Sequence, residues 1–206
     1  MLVIVDYGLG NIGSIRNMFK RIGVECAVSG SVEDIIRADR LVLPGVGAFD
    51  QGMQNLAQRQ LVPALTRKVV DERAPVLGIC LGMQLLVEAS EEGACAGLGW
   101  IKGRCRRFAP GVTAPQIKVP HMGWNTVRAL HPGGVFAGLE EESRFYFVHS
   151  YYVACDDPAS VLGVTSYGTE FPSAIMNGNI LGVQFHPEKS HKFGMRLLEN
   201  FARHLH

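Results

Sequence analysis

The sequence predicts an α/β protein with a central, mostly parallel sheet flanked by helices, and with antiparallel additions in its second half. Three observations carry that expectation. The short runs Leu2–Val5, Leu41–Leu43 and Val76–Ile79 have the unbroken apolar character of strands buried on both faces. Segments of helical periodicity alternate with them, as right-handed crossovers between parallel strands require. After Glu92 that periodicity stops, and strand-like runs separated by glycine and proline take over.

Composition narrows the class. At 206 residues, with 47% hydrophobic and 19% charged side chains, the chain can bury a substantial core. No repeat, low-complexity tract or linker divides it, so a single domain over residues 1–206 is expected. A net charge of +1 without a basic block offers no footprint for nucleic acid or a membrane surface. The five cysteines are odd in number and scattered, and no C-x-x-C pair occurs, which argues against structural zinc or a disulfide framework. Leu2–Val5 directly after Met1 is too short for a signal h-region or a membrane span, so the reducing cytoplasm is the expected compartment.

The elements follow in order. Leu2–Val5 is the first strand, Asp6–Asn11 a glycine-rich turn, and Ile12, Ile15, Phe19 and Ile22 one face of the first helix. Gly8, Gly10 and Gly13 do not complete a dinucleotide fingerprint, because no matching acidic ribose ligand follows the second strand, Glu25–Val28. A short helix over Ser31–Ala38 leads to the third strand, Leu41–Leu43, which runs into Pro44-Gly45-Val46-Gly47. Flexible backbone at the carboxyl end of a buried strand lies on the rim where open α/β sheets hold ligands. A helix is expected from about Met53 to Val70, interrupted near Pro63, before the fourth strand at Val76–Ile79. In the second half, Trp100–Phe108, Gly123–Arg128, Arg144–Ala154 and Ser160–Ser166 read as strands. Asn177-Gly178 marks a type I′ hairpin turn between Ala174–Met176 and Ile180–Val183, and Leu197, Leu198, Phe201 and Leu205 form the apolar face of a last helix.

Two short segments carry chemistry. Gly78-Ile79-Cys80-Leu81-Gly82 is the G-x-S-x-G nucleophile elbow with sulfur in place of oxygen. Cys80 would stand at a helix N-terminus, where free N–H groups favour a thiolate. Cysteine is more often a small buried apolar group, and the elbow alone leaves both roles open. The other segment is His186-Pro187-Glu188. Proline favours an extended residue before it, and extended residues at i and i+2 point the same way, so Glu188 can orient the His186 imidazole. By itself this pair reads more readily as a solvated turn after a strand. His131, His191, His204 and His206 fall in loop or terminal contexts, whereas His121 and His149 are not assigned by sequence.

Pro44-Gly45-Val46-Gly47, Gly78–Gln84 and His186-Pro187-Glu188, in that order, resemble the class I (triad) glutamine amidotransferases, whose fold is flavodoxin-like. The resemblance implies a Cys80–His186–Glu188 triad, an oxyanion hole from the Gly45-Val46-Gly47 strand and Leu81, and glutamine held by Gln84, Glu92, Ser150 and Tyr151. Val5–Ile12, Pro120–Asn125, Phe145–Tyr151 and Gly182–Ser190 narrow it to members that serve as the separate glutaminase subunit of a synthase in histidine biosynthesis. That resemblance implies a (β/α)8-barrel cyclase partner, docked around the site mouth through Asn11, Pro120, Met122, Trp124 and Lys189. No metal or organic cofactor is implied. No phosphate-binding loop or second substrate domain is evident, so the ammonia acceptor is expected on another polypeptide. The glycines flanking Val46 are expected to let its peptide turn, leaving the free subunit nearly silent. The glutaminase subunit of another amidotransferase, a free-standing γ-glutamyl hydrolase and a non-catalytic subunit are the alternatives; glutamate release by wild type and Cys80→Ala separates a glutaminase subunit from the last two.

Overall fold

The computed structural model describes residues 1–109, 117–140 and 142–204; Leu205 and His206 lie outside them. The first half runs β1 (Leu2–Val5), α1 (Ile12–Arg21), β2 (Cys26–Ser29), α2 (Val32–Arg37), β3 (Arg40–Leu43), α3 (Phe49–Gln58), α4 (Leu61–Thr66), β4 (Val76–Ile79) and α5 (Leu81–Leu85). Strands then dominate: β5 (Ala89–Ser90), β6 (Gly103–Arg107), β7 (His121–Thr126), β8 (Arg128–Ala129), β9 (Arg144–His149), β10 (Tyr151–Cys155), β11 (Val161–Tyr167), β12 (Thr169–Asn177) and β13 (Ile180–Val183). Helix α6 (His191–His204) closes the chain.

An eight-stranded sheet in the order β2-β1-β3-β4-β13-β12-β11-β8 forms the centre. From β2 to β13 neighbours are parallel, and β12, β11 and β8 continue antiparallel. Every residue of β1, β4 and β13 is buried, as apolar strands covered on both faces must be. One face packs under α2, α3 and α4 through Leu56, Leu61 and Leu65. The other packs under α1 and α6 through Ile15, Phe19, Leu197 and Phe201. Among the described residues no helix is long and apolar enough to cross a membrane.

Register places the functional edge. Val183 pairs with Ile79, and Leu43 with Gly78, so β3, β4 and β13 end level with one another. Their continuations, Pro44–Gly47, Cys80 and Gln184–Glu188, therefore emerge side by side. The Cys80 N–H donates to the Val183 carbonyl at 2.8 Å, extending the β4/β13 ladder into the turn.

Several expectations are displaced. Helix α3 begins at Phe49, upstream of Met53, because the Glu92 carboxylate accepts the Phe49 N–H at 2.8 Å. The break falls at left-handed Gln60, and Pro63 sits inside the first turn of α4, where its missing N–H would have had no helical acceptor. Only Gly103–Arg107 of the Trp100–Phe108 run is strand. The run Arg144–Ala154 is two strands in different sheets: β9 pairs with β7, and β10 with β6. In the last hairpin Asn177 pairs with Ile180, so the two-residue loop is Gly178-Asn179, with Gly178 left-handed and Asn179 not. This is the glycine-first pattern of a type II′ turn, which replaces the type I′ expectation. Asn179 is held instead by its side chain, which donates to the Val69 and Ala74 carbonyls.

Two glycines make opposite predictions. A Cβ on Gly82 would fall on the Leu43 carbonyl oxygen, whereas one on Gly13, in α1, meets nothing within 4 Å. Gly82→Ala is expected to destabilise by about 3 kcal/mol or more, since backbone must move. Gly13→Ala is expected to stabilise by about 0.5 kcal/mol through the unfolded chain. Urea unfolding of both variants checks the pair; a tolerated Gly82→Ala would contradict this packing.

Candidate active site

Cys80 occupies the turn between β4 and α5 with φ 54° and ψ −108°, a conformation that costs energy for any residue with a Cβ. The tightness of the turn explains the glycines around it: a Cβ on Gly78 would stand 2.7 Å from the Gly82 oxygen. Leu81 opens α5, so its N–H is one of the first-turn donors left without a helical acceptor. All five cysteines are free thiols.

His186 follows β13, and its ring is buried. Its Nδ1 lies 2.8 Å from Glu188 Oε1. The main chain of His186 is pinned at both ends, its N–H donating to the Tyr146 carbonyl and its carbonyl accepting from the Ser190 hydroxyl. The expected pairing is present, but its reason differs. His186 is extended, while Pro187–Lys189 form a 3-10 turn, and that turn, rather than a straight strand, returns the Glu188 carboxylate to the imidazole. Burial opposes a charge on His186, but the neighbouring Cys80 and the bonded Glu188 carboxylate outweigh it and lift the pKa above the ordinary value, while among the described residues its Nε2 makes no hydrogen bond. Burial likewise opposes a charged Glu188, yet the bonds from His186 and Asn11 hold its carboxyl below the usual range. Asn11, expected at a docking face, directs its Nδ2 onto Glu188 Oε1 at 3.1 Å.

A cavity of about 230 Å³ opens in front of Cys80, lined by Val46, Gly47, Leu81, Gln84, Glu92, Pro120, Val148, His149, Ser150 and Tyr151. It unites expected oxyanion residues with all four expected glutamine contacts. Gly45 lies beneath it: a Cβ there would stand 2.7 Å from both Leu81 Cβ and the Tyr7 hydroxyl. Gly45 is therefore glycine for close approach, and of the two only Gly47, at φ 124°, uses the left-handed region. Burial, then the proximity of Cys80, pushes the Tyr7 pKa up, so its hydroxyl stays protonated and donates to the Pro44 carbonyl.

Behind the cavity runs a hydrogen-bonded chain that sequence reading did not find. Asn125 Nδ2 meets His121 Nε2 at 3.2 Å, His121 Nδ1 meets His149 Nε2 at 3.0 Å, and His149 Nδ1 meets the Tyr151 carbonyl at 2.7 Å. The Tyr151 and Ser166 carbonyls only accept, so His149 Nδ1 carries a proton and Asn125 presents its Nδ2 to His121, whose Nε2 accepts it and whose Nδ1 donates to His149 Nε2. Both rings are thereby neutral. Burial lowers the His121 pKa to about 4 and the His149 pKa to about 3. His149 Nδ1–H thus holds the corner at Ser150, where β9 passes into β10. The only sequence signal was position within the Pro120–Asn125 and Phe145–Tyr151 segments.

The exposed apolar groups include Met122 at 61%, Trp124 at 46% and, at the cavity, Val46 at 43%. Trp124 lies on strand β7 and stacks against His191 with ring centroids 5.3 Å apart. Exposed Lys189 places its Nζ 5.4 Å from the Tyr146 ring centroid. Among the described residues no three His, Cys, Asp or Glu side chains converge as a metal site would need.

The family described as glutamine amidotransferase class-I matches residues 3–205. This chain belongs to that family. The amidotransferase is 51% identical over 203 residues to the imidazole glycerol phosphate synthase subunit HisH 2 of Methanococcus maripaludis, covering 98% of this chain and 99% of that one. It is 52% identical over 202 residues to the HisH 2 subunit of Pseudomonas aeruginosa, with 98% of each chain covered. Among solved structures, the PurLQS structure from Thermotoga maritima superposes with a TM-score of 0.73 at 19% identity, covering 100% of this chain and 98% of that chain. The glutaminase domain of Trypanosoma brucei CTPS gives 0.63 at 15% identity, covering 98% and 93%. Those structural likenesses concern the fold.

The neutral histidines set a pH dependence for this amidotransferase. Their folded pKa values lie below the unfolded value of about 6.5, so below that pH the unfolded chain binds protons the folded chain refuses. Their contribution is complete above about pH 6.5 and is lost as pH falls toward the folded values, at up to about 1.4 kcal/mol per pH unit for each ring. Urea titrations at pH 7 and pH 5 are expected to show this loss in the wild type and a shallower one in His121→Leu/His149→Leu. Equal losses would show that the rings are protonated in the folded state.

Proposed function

We propose that this chain is the glutaminase subunit of an imidazole glycerol phosphate synthase. It hydrolyses glutamine to glutamate and ammonia and passes the ammonia to a cyclase subunit of (β/α)8-barrel fold, which makes imidazole glycerol phosphate and AICAR in histidine biosynthesis. The observation that carries the chemistry is Cys80 in a strained elbow, with the hydrogen-bonded His186–Glu188 pair on the adjoining strand end. The identity to HisH subunits over nearly the whole chain supports the pathway. The cytoplasm is the matching compartment, and residues 1–206 act as one domain.

The steps are those of covalent acyl transfer. Cys80 gives its proton to His186, and the thiolate attacks the side-chain amide carbon of glutamine. The N–H groups of Val46 and Leu81 stabilise the developing oxyanion. His186 returns the proton to the nitrogen, which leaves as ammonia and breaks the C–N bond. Water activated by His186 then hydrolyses the thioester to glutamate. Glu188 holds the ring and offsets its charge, and Asn11 steadies Glu188. Gln84, Glu92 and the backbone at Ser150-Tyr151 hold the amino-acid end of the substrate in the cavity. The exposed mouth, with Pro120, Met122, Trp124 and Lys189, receives the cyclase, so that ammonia leaves without crossing bulk water.

Two experiments test this reading. Cys80→Ala, assayed for glutamate release in the two-chain complex, is expected to lose glutaminase activity while the complex still turns over with added ammonium salt. Activity within about tenfold of wild type, equivalent to roughly 1.4 kcal/mol in barrier, would rule out covalent catalysis. Trp124→Ala is expected to keep the fold and weaken the complex by about 2 kcal/mol, roughly thirtyfold in Kd. Calorimetry showing unchanged affinity would remove Trp124 from the docking face.

A further inference from the structure

We propose that Gln184 is a fourth catalytic side chain, whose carboxamide N–H donates to the Cys80 thiolate and holds it in line for attack. The proposal rests on the reading of Cys80 as nucleophile and concerns a residue outside the triad and outside the substrate cavity.

Gln184 is the first residue past β13 and is 0% exposed. The register that pairs Val183 with Ile79 sets it beside Cys80, and its main chain is fixed by an N–H bond to the Ser173 carbonyl at 2.9 Å. A buried carboxamide needs partners at both ends. Gln184 Oε1 lies 3.2 Å from Gln84 Nε2, and Gln184 Nε2 lies 3.8 Å from Cys80 Sγ.

The orientation of that amide is determined by its neighbours. Gln84 Nε2 also lies 3.1 Å from the Tyr151 carbonyl, which can only accept. The nitrogen of Gln84 must therefore face that carbonyl, and the same nitrogen faces Gln184. The near atom of Gln184 is then its oxygen, and its N–H is left for sulfur. One backbone carbonyl thus sets two side-chain amides in sequence, ending at the nucleophile. Tyr151 is held in turn by His149, so the chain of bonds is anchored at its far end.

Chemistry makes the contact selective. Thiol sulfur is a weak acceptor and thiolate a far better one, so an N–H donor favours the charged form. The protonated thiol has its own partner, the Val148 carbonyl at 3.9 Å. On activation the proton passes from Sγ to His186, the Gln184 N–H stays on nitrogen, and the sulfur electron pair forms the new bond to carbon. The titratable groups facing Cys80 are His186, backed by Glu188, on the β13 extension, Tyr7 beyond β1, and Glu92, His149 and Tyr151 around the cavity. Gln184 adds a donor that carries no charge and does not titrate.

The test uses Gln184→Met, which is close in volume and lacks the donor. Iodoacetamide alkylation of Cys80, followed on its own peptide by mass spectrometry, is expected to show a midpoint shifted to higher pH by about one unit, a tenfold effect of the size of a lost bond to a charged group. In the two-chain complex kcat for glutamine hydrolysis is expected to fall about ten- to hundredfold, with KM changed less than about twofold. An unchanged alkylation midpoint in the folded variant would overturn the proposal, as would a rise in KM with kcat intact. If Gln184→Met does not fold, the Gln184 side-chain amide resonances of wild type and Cys80→Ala decide: displaced signals support the contact, and coincident signals overturn it. Alkylation does not require turnover, so wild-type complex releasing no glutamate would defeat the glutaminase reading without deciding the thiolate contact.

Discussion

The parallel pairing of β13 with β4 is the constraint on which the rest depends. These strands are about a hundred residues apart in sequence, and their ladder sets Val183 against Ile79. The Cys80 N–H then closes onto the Val183 carbonyl, so the elbow is built partly from the strand that leads to the imidazole. A one-residue slip would turn each side chain of β13 to the opposite face and remove His186 from reach. The close fit at Gly182 opposes that slip, because a Cβ brought to that position would stand 2.7 Å from Met83 Cγ.

Around that ladder, steric fit and polar satisfaction act together. Gly82 lets α5 pass against the Leu43 carbonyl, and Gly45 lets the Pro44–Gly47 segment pass against Leu81 and Tyr7. These close approaches hold Cys80 at a positive φ that the surrounding structure must maintain. The polar groups behind the site are linked rather than isolated. Asn125, His121, His149, the Tyr151 carbonyl, Gln84 and Gln184 form one continuous path of hydrogen bonds. A path of neutral donors and acceptors rigidifies the cavity wall without burying a net charge there.

The wall and the mouth share strands. β7 presents Met122 and Trp124 outward and His121 inward, following the alternation of a strand. β9 pairs with β7 and places the Tyr146 carbonyl on the His186 N–H. The exposed Trp124 and the His186 imidazole are therefore joined through a two-stranded sheet, with Trp124 stacked on His191 at the start of α6.

Local signals in the sequence determined the elements, the elbow and the reactive residue types. Unbroken apolar runs marked β1, β3 and β4, and the glycines bracketing Cys80 marked a turn that no bulkier residue could make. The His186–Glu188 pairing was legible because proline restricts its neighbours, although the 3-10 turn that delivers it was not. Tertiary structure alone decided whatever depends on contacts distant in sequence. Pro63 could not reveal that the helix breaks at Gln60, and an unbroken β-prone run could not reveal that Arg144–Ala154 divides between two sheets at Ser150. Asn11 gave no sign of its bond to Glu188, 177 residues away. His121, His149 and Gln184 were opaque for the same reason. A histidine or glutamine has the same sequence appearance in solvent as in a buried relay, and only the folded neighbours determine its tautomer, its charge and the atom it addresses.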